Sequence, residues 1–149
     1  MAVGTICTRQ VVTVDRAIDL AAAARVMRDR QVGYLVVTDI ASGGQKPVGV
    51  LTDRDIVIKV MAPNVDPHSR KVGDVMTTEP LVAGYADDVG KTLHRMRALG
   101  VRRVPVINTQ GAIAGVLSLD DAFDHLVTQM ADVAGSIRNQ QPTERQQRA

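Results

Sequence analysis

Aromatic side chains are nearly missing from these 149 residues: Phe123, Tyr34 and Tyr85 are the whole set, and tryptophan is absent. Three rings are too few for a platform on which bases stack. Cysteine is as scarce. Cys7 stands alone, so no internal disulfide is expected, and His68, His94 and His125 are scattered without the spacing of zinc ligands. No metal is expected. Long apolar runs are lacking too. Arg9, Asp15, Arg16 and Asp19 interrupt the first twenty residues and leave no signal-peptide core, and no later stretch approaches the roughly 20 apolar residues of a membrane span. The expectation is a soluble, cytoplasmic protein with no membrane partner. Excess charge is small: the net +2 comes from Arg138, Arg145 and Arg148 against Glu144, which leaves the rest neutral. A neutral body has no basic footprint for nucleic acid.

Apolar residues make up 45% of the chain, enough for a core without staples. They are arranged in an internal repeat, which must be found first because a single copy often cannot bury its own apolar face. Ile6-Cys7-Thr8-Arg9 aligns with Val75-Met76-Thr77-Thr78, Asp19-Leu20 with Asp88-Val89, and Met27-Arg28 with Met96-Arg97, all 69 residues apart. The same offset lays Val32 to Val37 over Val101 to Val106. Further on, Gly49-Val50-Leu51-Thr52-Asp53-Arg54-Asp55 matches Gly115-Val116-Leu117-Ser118-Leu119-Asp120-Asp121 at an offset of 66. The loss falls where Ile40 to Lys46 shortens to Thr109 to Ala112, a change a hairpin loop tolerates.

Each copy reads as a short extended piece, a helix, two strands and a second helix. Asp19 and Asp88 are placed as N-caps, and Leu20, Ala24 and Met27, like Val89, Leu93 and Met96, recur at helical spacing. Leu35 to Val37 and Val48 to Leu51 flank a Gly-Gly turn and predict a hairpin, as do Val104 to Ile107 and Ile113 to Leu117. Leu35, Val50, Val104 and Val116 are expected in the shared core. Residues 1–66 form the first repeat with its linker and 67–128 the second, with Pro63 and Pro67 in the connecting stretch from Met61 to Ser69. Residues 129–149 are expected to be the end of a long helix and a mobile polar tail. Along that helix Phe123, Leu126, Val127, Met130, Val133 and Ile137 make an apolar stripe that either packs on its own module or meets a second copy.

The blocks ending in Thr52-Asp53-Arg54-Asp55 and Ser118-Leu119-Asp120-Asp121 carry the chemistry. Each ends a strand and opens a helix with a hydroxyl followed three residues later by Asp. Taken alone, that pattern is a capping box in which hydroxyl and carboxylate satisfy orphan backbone N–H groups. The same geometry also suits a nucleotide. A helix N-terminus favours phosphate, and a carboxylate one turn on accepts hydrogen bonds from a ribose diol.

The repeat resembles the cystathionine β-synthase (CBS) domain, in which an early Val-Met-Thr-like strand, a helix, a Pro-Val strand and a Gly-h-h-(Ser/Thr)-x-x-Asp block (h, apolar) recur in tandem. Val75-Met76-Thr77, Arg103-Val104-Pro105-Val106 and Gly115 to Asp121 carry the likeness over about residues 4 to 128. Thr52 to Lys59 is also similar to stand-alone bacterial members, including hypoxic-response types. The resemblance implies an α+β fold: two β-α-β-β-α repeats related by a pseudo-twofold axis, the CBS pair or Bateman module. It implies two clefts that take AMP, ADP, ATP, S-adenosylmethionine or an NAD-like dinucleotide as ligand rather than as cofactor, and modules that pair into a disk-like homodimer. By position, Thr52 and Asp55 would face Thr77, Thr78 and Pro80, while Ser118 and Asp121 would face Thr8 and Tyr34. Arg103 falls where relatives hold phosphate, and Arg54 is either a further phosphate contact or a solvated charge. Val36 stands where the family often has proline, and Tyr34 where the second repeat has Arg103, so the clefts are not equivalent.

An enzyme is not expected, because no histidine is placed to activate Ser118 and the paired acids are explained as helix-start residues. The remaining alternative is an interaction module with vestigial clefts that dimerises through the long helix. An effector protein is implied by the sensor reading, and its identity is not written in this sequence.

Overall fold

The computed structural model describes residues 1–148 and divides their strands between two sheets. The first repeat supplies β1 (Thr13–Asp15), α1 (Leu20–Arg30), β2 (Tyr34–Thr38) and β3 (Gly49–Thr52). Helix α2 follows, α-helical over Asp53–Ile56 and widening to a π turn over Val57–Met61 before Pro63 ends it. The second repeat supplies α3 (Val72–Val75), β4 (Thr77–Thr78), β5 (Ala83–Gly84), α4 (Val89–Leu99), β6 (Arg103–Ile107), β7 (Ile113–Ser118) and α5 (Leu119–Arg148). The caps expected from the sequence are in place. Asp19 accepts the Ala22 N–H at 2.7 Å and Asp88 the Lys91 N–H at 3.0 Å.

One sheet runs β1-β2-β3-β4 and the other β5-β6-β7, with the first two strands of each parallel and the hairpin antiparallel. Each repeat lends its leading segment to the sheet of the other. Val50 pairs with Thr77 and Gly49 with Thr78, while Thr8 bridges Val116. Thr8 is the repeat equivalent of Thr77 and Val116 that of Val50, so one contact is made twice. The backbone repeats this. Val72 N–H donates to Ile18 O at 2.8 Å as Val3 N–H does to Asp87 O at 2.8 Å, and Leu20 N–H meets Arg70 O at 3.0 Å as Val89 N–H meets Met1 O at 3.0 Å. These matched bonds define the pseudo-twofold relation.

The two cores are exchanged in the same way. Leu20, Met27, Leu35, Val37, Leu51 and Val60 of the first repeat pack with Val72, Val75 and Met76 of the second. Ala83, Met96, Val104, Val106 and Leu117 pack with Val3 of the first. Glycine stands at the equivalent place in β3 and β7 because the incoming segment leaves no room. A Cβ at Gly49 would lie 2.8 Å from Thr77 O, and one at Gly115 2.7 Å from Thr8 O.

Leu35 and Val104 are in the cores as expected, at 0% and 1% exposure. Val50 and Val116 are not. They are only half-buried, and Leu51 and Leu117 take the core places, since neighbouring residues of a strand point to opposite faces. The polar segment from Asn139, expected as a mobile tail, continues α5 to Arg148 with Pro142 inside it. Gln, Glu and Arg are good helix formers, and Gln140 Nε2 donates to Glu144 Oε1 one turn on at 2.8 Å. Among the described residues no helix is long and apolar enough to cross a membrane.

Candidate functional site

The outer faces of β3 and β7, turned away from the cores, open into two cavities between the repeats. The first cleft, about 380 Å³, is walled by Val50, Thr52, Arg54, Asp55 and Thr77, with Tyr34 and Arg103 at its inner side. The second, about 270 Å³, holds Val116, Ser118, Asp121 and Thr8, again with Tyr34 and Arg103. Thr78 and Pro80 do not reach the first cavity. Thr78 is exposed beside Gly49, and Glu79 makes a left-handed turn (φ 46°) before half-buried Pro80.

The capping boxes form in both places. In the first cleft Thr52 Oγ1 accepts the Asp55 N–H at 3.1 Å and Asp55 Oδ2 accepts the Thr52 N–H at 3.0 Å. In the second, Ser118 Oγ and Asp121 Oδ2 take the equivalent bonds, both at 3.0 Å. Each carboxylate thus spends one oxygen on the cap and keeps the other outside the box. The two outer oxygens have different surroundings. Thr8 Oγ1 donates to Asp121 Oδ1 at 3.3 Å across the repeat boundary, whereas Asp55 Oδ1 has the Lys59 ammonium at 3.7 Å, too far for a hydrogen bond.

Tyr34 and Arg103 are equivalent positions of the two repeats and meet each other, the guanidinium lying 5.8 Å from the ring centroid. Together they form the partition between the cavities, so Arg103 faces both clefts and not the first alone. The Tyr34 hydroxyl is the buried side-chain polar atom that, among the described residues, has no hydrogen-bond partner. Burial pushes the phenol well above its ordinary range, with the Arg103 guanidinium opposing, so the hydroxyl keeps its proton and remains a donor. Charge differs between the clefts. Arg54, Arg102 and Arg103 line the first with Asp53 and Asp55, while Arg103 and Asp121 line the second.

Sequence reasoning missed Val50, Val116 and Arg102 as cleft residues. The signal for the valines was available: Val50 lies two residues before Thr52 and Val116 two before Ser118, which puts them on the same strand face. Among the described residues no group of His, Cys, Asp and Glu side chains gathers as a metal-holding set.

The sequence profile of the CBS domain matches residues 3–62 and 72–128. The chain belongs to the CBS domain family. Its CBS pair is 34% identical over 107 residues to hypoxic response protein 1 of Mycobacterium tuberculosis, covering 72% of each chain. The crystal structure of Hypoxic Response Protein I with two coordinated zinc ions superposes with a TM-score of 0.73 at 30% identity, over 84% of this chain and 98% of that one. The CBS domain protein PAE2072 of Pyrobaculum aerophilum, solved in complex with AMP, superposes with a TM-score of 0.74 at 25% identity, over 81% of this chain and 89% of that one. The alignments span 60% of the length of a protein of Methanopyrus kandleri and 64% of one of Bacillus subtilis.

Proposed function

We propose that this CBS pair is a regulatory module that binds an adenosine-containing ligand between its repeats and transmits occupancy to an effector protein, without catalysis of its own. The reading is carried by one observation: each Ser/Thr-x-x-Asp box lines an inter-repeat cavity with one carboxylate oxygen spent on the cap and the other left outside it. The AMP complex of a relative with the same fold supports the ligand class. Asp55 and Asp121 are the ribose-diol acceptors, and Thr52 and Ser118 lie beside the first phosphate. Arg103, with Arg54 and Arg102, supplies positive charge, and a second copy of the chain is the structural partner.

The first cleft is the better candidate. Its cavity is the larger, it carries three guanidinium groups, and among the described residues its outer Asp oxygen makes no hydrogen bond, the Lys59 ammonium standing 3.7 Å away. The Thr8 to Asp121 bond favours the vestigial reading for the second cleft, because a ribose there must displace it.

A thermal-shift screen of AMP, ADP, ATP, NAD and S-adenosylmethionine identifies the ligand. Calorimetry then closes a cycle between Asp55→Ala and a 2′,3′-dideoxy analogue. A charged hydrogen bond is worth roughly 1.5–3 kcal/mol, so the substitution is expected to weaken binding about 10- to 100-fold, and the analogue should show little further loss on the variant. Additive losses, or no binding below millimolar concentration, would make Asp55 a helix cap alone.

A further inference from the structure

Helix α5 is far longer than its repeat counterpart, and the large apolar side chains of its excess are exposed. It runs 30 residues from Leu119, roughly 45 Å at 1.5 Å per residue, while α2 stops at Met61. Ala122 is buried against the module, but from Phe123 onward the large apolar side chains face solvent. Phe123 is 67% exposed, Met130 72% and Val133 62%.

These residues follow a strict order. Leu119, Phe123, Leu126, Met130, Val133 and Ile137 are separated alternately by four and three residues, the spacing of a coiled-coil seam rather than of a face broad enough to cover a globular core. The same steps next reach Gln140 and Glu144, so the apolar seam ends at Ile137. Between Ala122 and Ser136 the positions beside the seam are Ala122, Val127, Gln129, Ala134 and Ser136, all uncharged and mostly small. A second helix therefore approaches without desolvating a charge.

Charge along α5 sets the direction. Asp120, Asp121, Asp124 and Asp132 lie in the stretch before Arg138, which contains no Lys or Arg; Arg138, Arg145 and Arg148 against Glu144 follow. A parallel pair would set acid beside acid at one end and base beside base at the other. An antiparallel pair brings opposite charges together and also opposes the two helix dipoles.

We infer that α5 pairs with α5 of a second copy of this chain in an antiparallel coiled coil, with Leu126 opposite the partner's Ile137 and Met130 opposite the partner's Val133. This deepens the reading of a second copy as partner and does not depend on what the clefts bind.

Cross-linking tests it. In a Cys7→Ala background, two differently tagged chains carrying Leu126→Cys and Ile137→Cys are mixed and equilibrated in a glutathione redox buffer. Both positions are exposed on α5, so the module folds in either variant. The mixed disulfide should exceed the Leu126→Cys self-disulfide about tenfold, since Cα atoms beyond about 7 Å do not bridge. Met130→Asp in the native background should shift sedimentation from dimer to monomer. A predominant Leu126→Cys self-disulfide overturns the direction. A dimer by sedimentation that neither cross-links nor responds to Met130→Asp overturns the seam while leaving a second copy as partner. A native protein that sediments as a monomer at micromolar concentration overturns both.

Discussion

Gln31 and Gly100 close equivalent helices with the same left-handed turn, φ 54° and φ 65°, yet only glycine adopts that conformation without steric cost. The first repeat therefore carries local strain that the second avoids. Gln31→Gly copies the second repeat into the first. The relief, about 1–2 kcal/mol, is partly offset by the greater freedom of glycine in the unfolded chain, so a net gain of about 0.5–1 kcal/mol is expected. Scanning calorimetry should show a rise in Tm of about 1–4 °C. The same comparison of equivalent positions explains the clefts. Tyr34 and Arg103 meet because symmetry places them together, and their different chemistry makes one partition serve two unlike cavities. The sequence showed that these positions differ. That they touch follows only from the closeness of both to the pseudo-twofold axis, which no local pattern reports.

At the scale of elements, the repeat was readable because caps and strand runs act locally: Asp19 and Asp88 begin α1 and α4 where expected. The core places of Val50 and Val116 were misread because a β-branched run predicts a strand without saying which face is covered. Anchoring the alternation on Thr52 and Ser118 would have corrected it. The connection after β1 depends on a carboxylate in a way that acid should reveal. Asp15 accepts the Ile40 N–H at 2.8 Å and the Ala17 N–H at 3.0 Å, and these bonds, Ile40 first, hold its pKa below the ordinary 3.8. A lowered folded-state pKa contributes stability that is fully present above the unfolded value and disappears as pH falls through the folded one. Thermal midpoints of the native protein and Asp15→Asn should differ by a constant amount above about pH 5 and converge as pH drops below the ordinary carboxyl range. A gap that does not change with pH would mean that these bonds are not what stabilises the turn.

For the whole molecule, the repeat in sequence and the lobe in space are different units. The alignment divides the chain near residue 66, but the first core needs Val72, Val75 and Met76, and its sheet needs Thr77 and Thr78. Sequence periodicity finds the unit that was duplicated, whereas packing joins each unit to the leading segment of the other. Fragments separate the two descriptions. Residues 1–66 contain a whole sequence repeat but lack three core side chains, each worth roughly 1.5–3 kcal/mol when buried. That loss is comparable to the 5–15 kcal/mol that holds an entire domain, so this fragment should show no cooperative unfolding transition. Residues 10–79 break the repeat boundary but keep every residue of the first core and all four strands of its sheet. At this length a single core is marginal but sufficient, and urea denaturation followed by circular dichroism should give a sigmoidal, reversible transition. If 1–66 folds and 10–79 does not, the leading segments are decoration on self-sufficient repeats and the exchange of cores contributes little. If 10–79 alone folds, the exchange holds the two repeats together, and a ligand in either cleft acts on both lobes because its walls come from both.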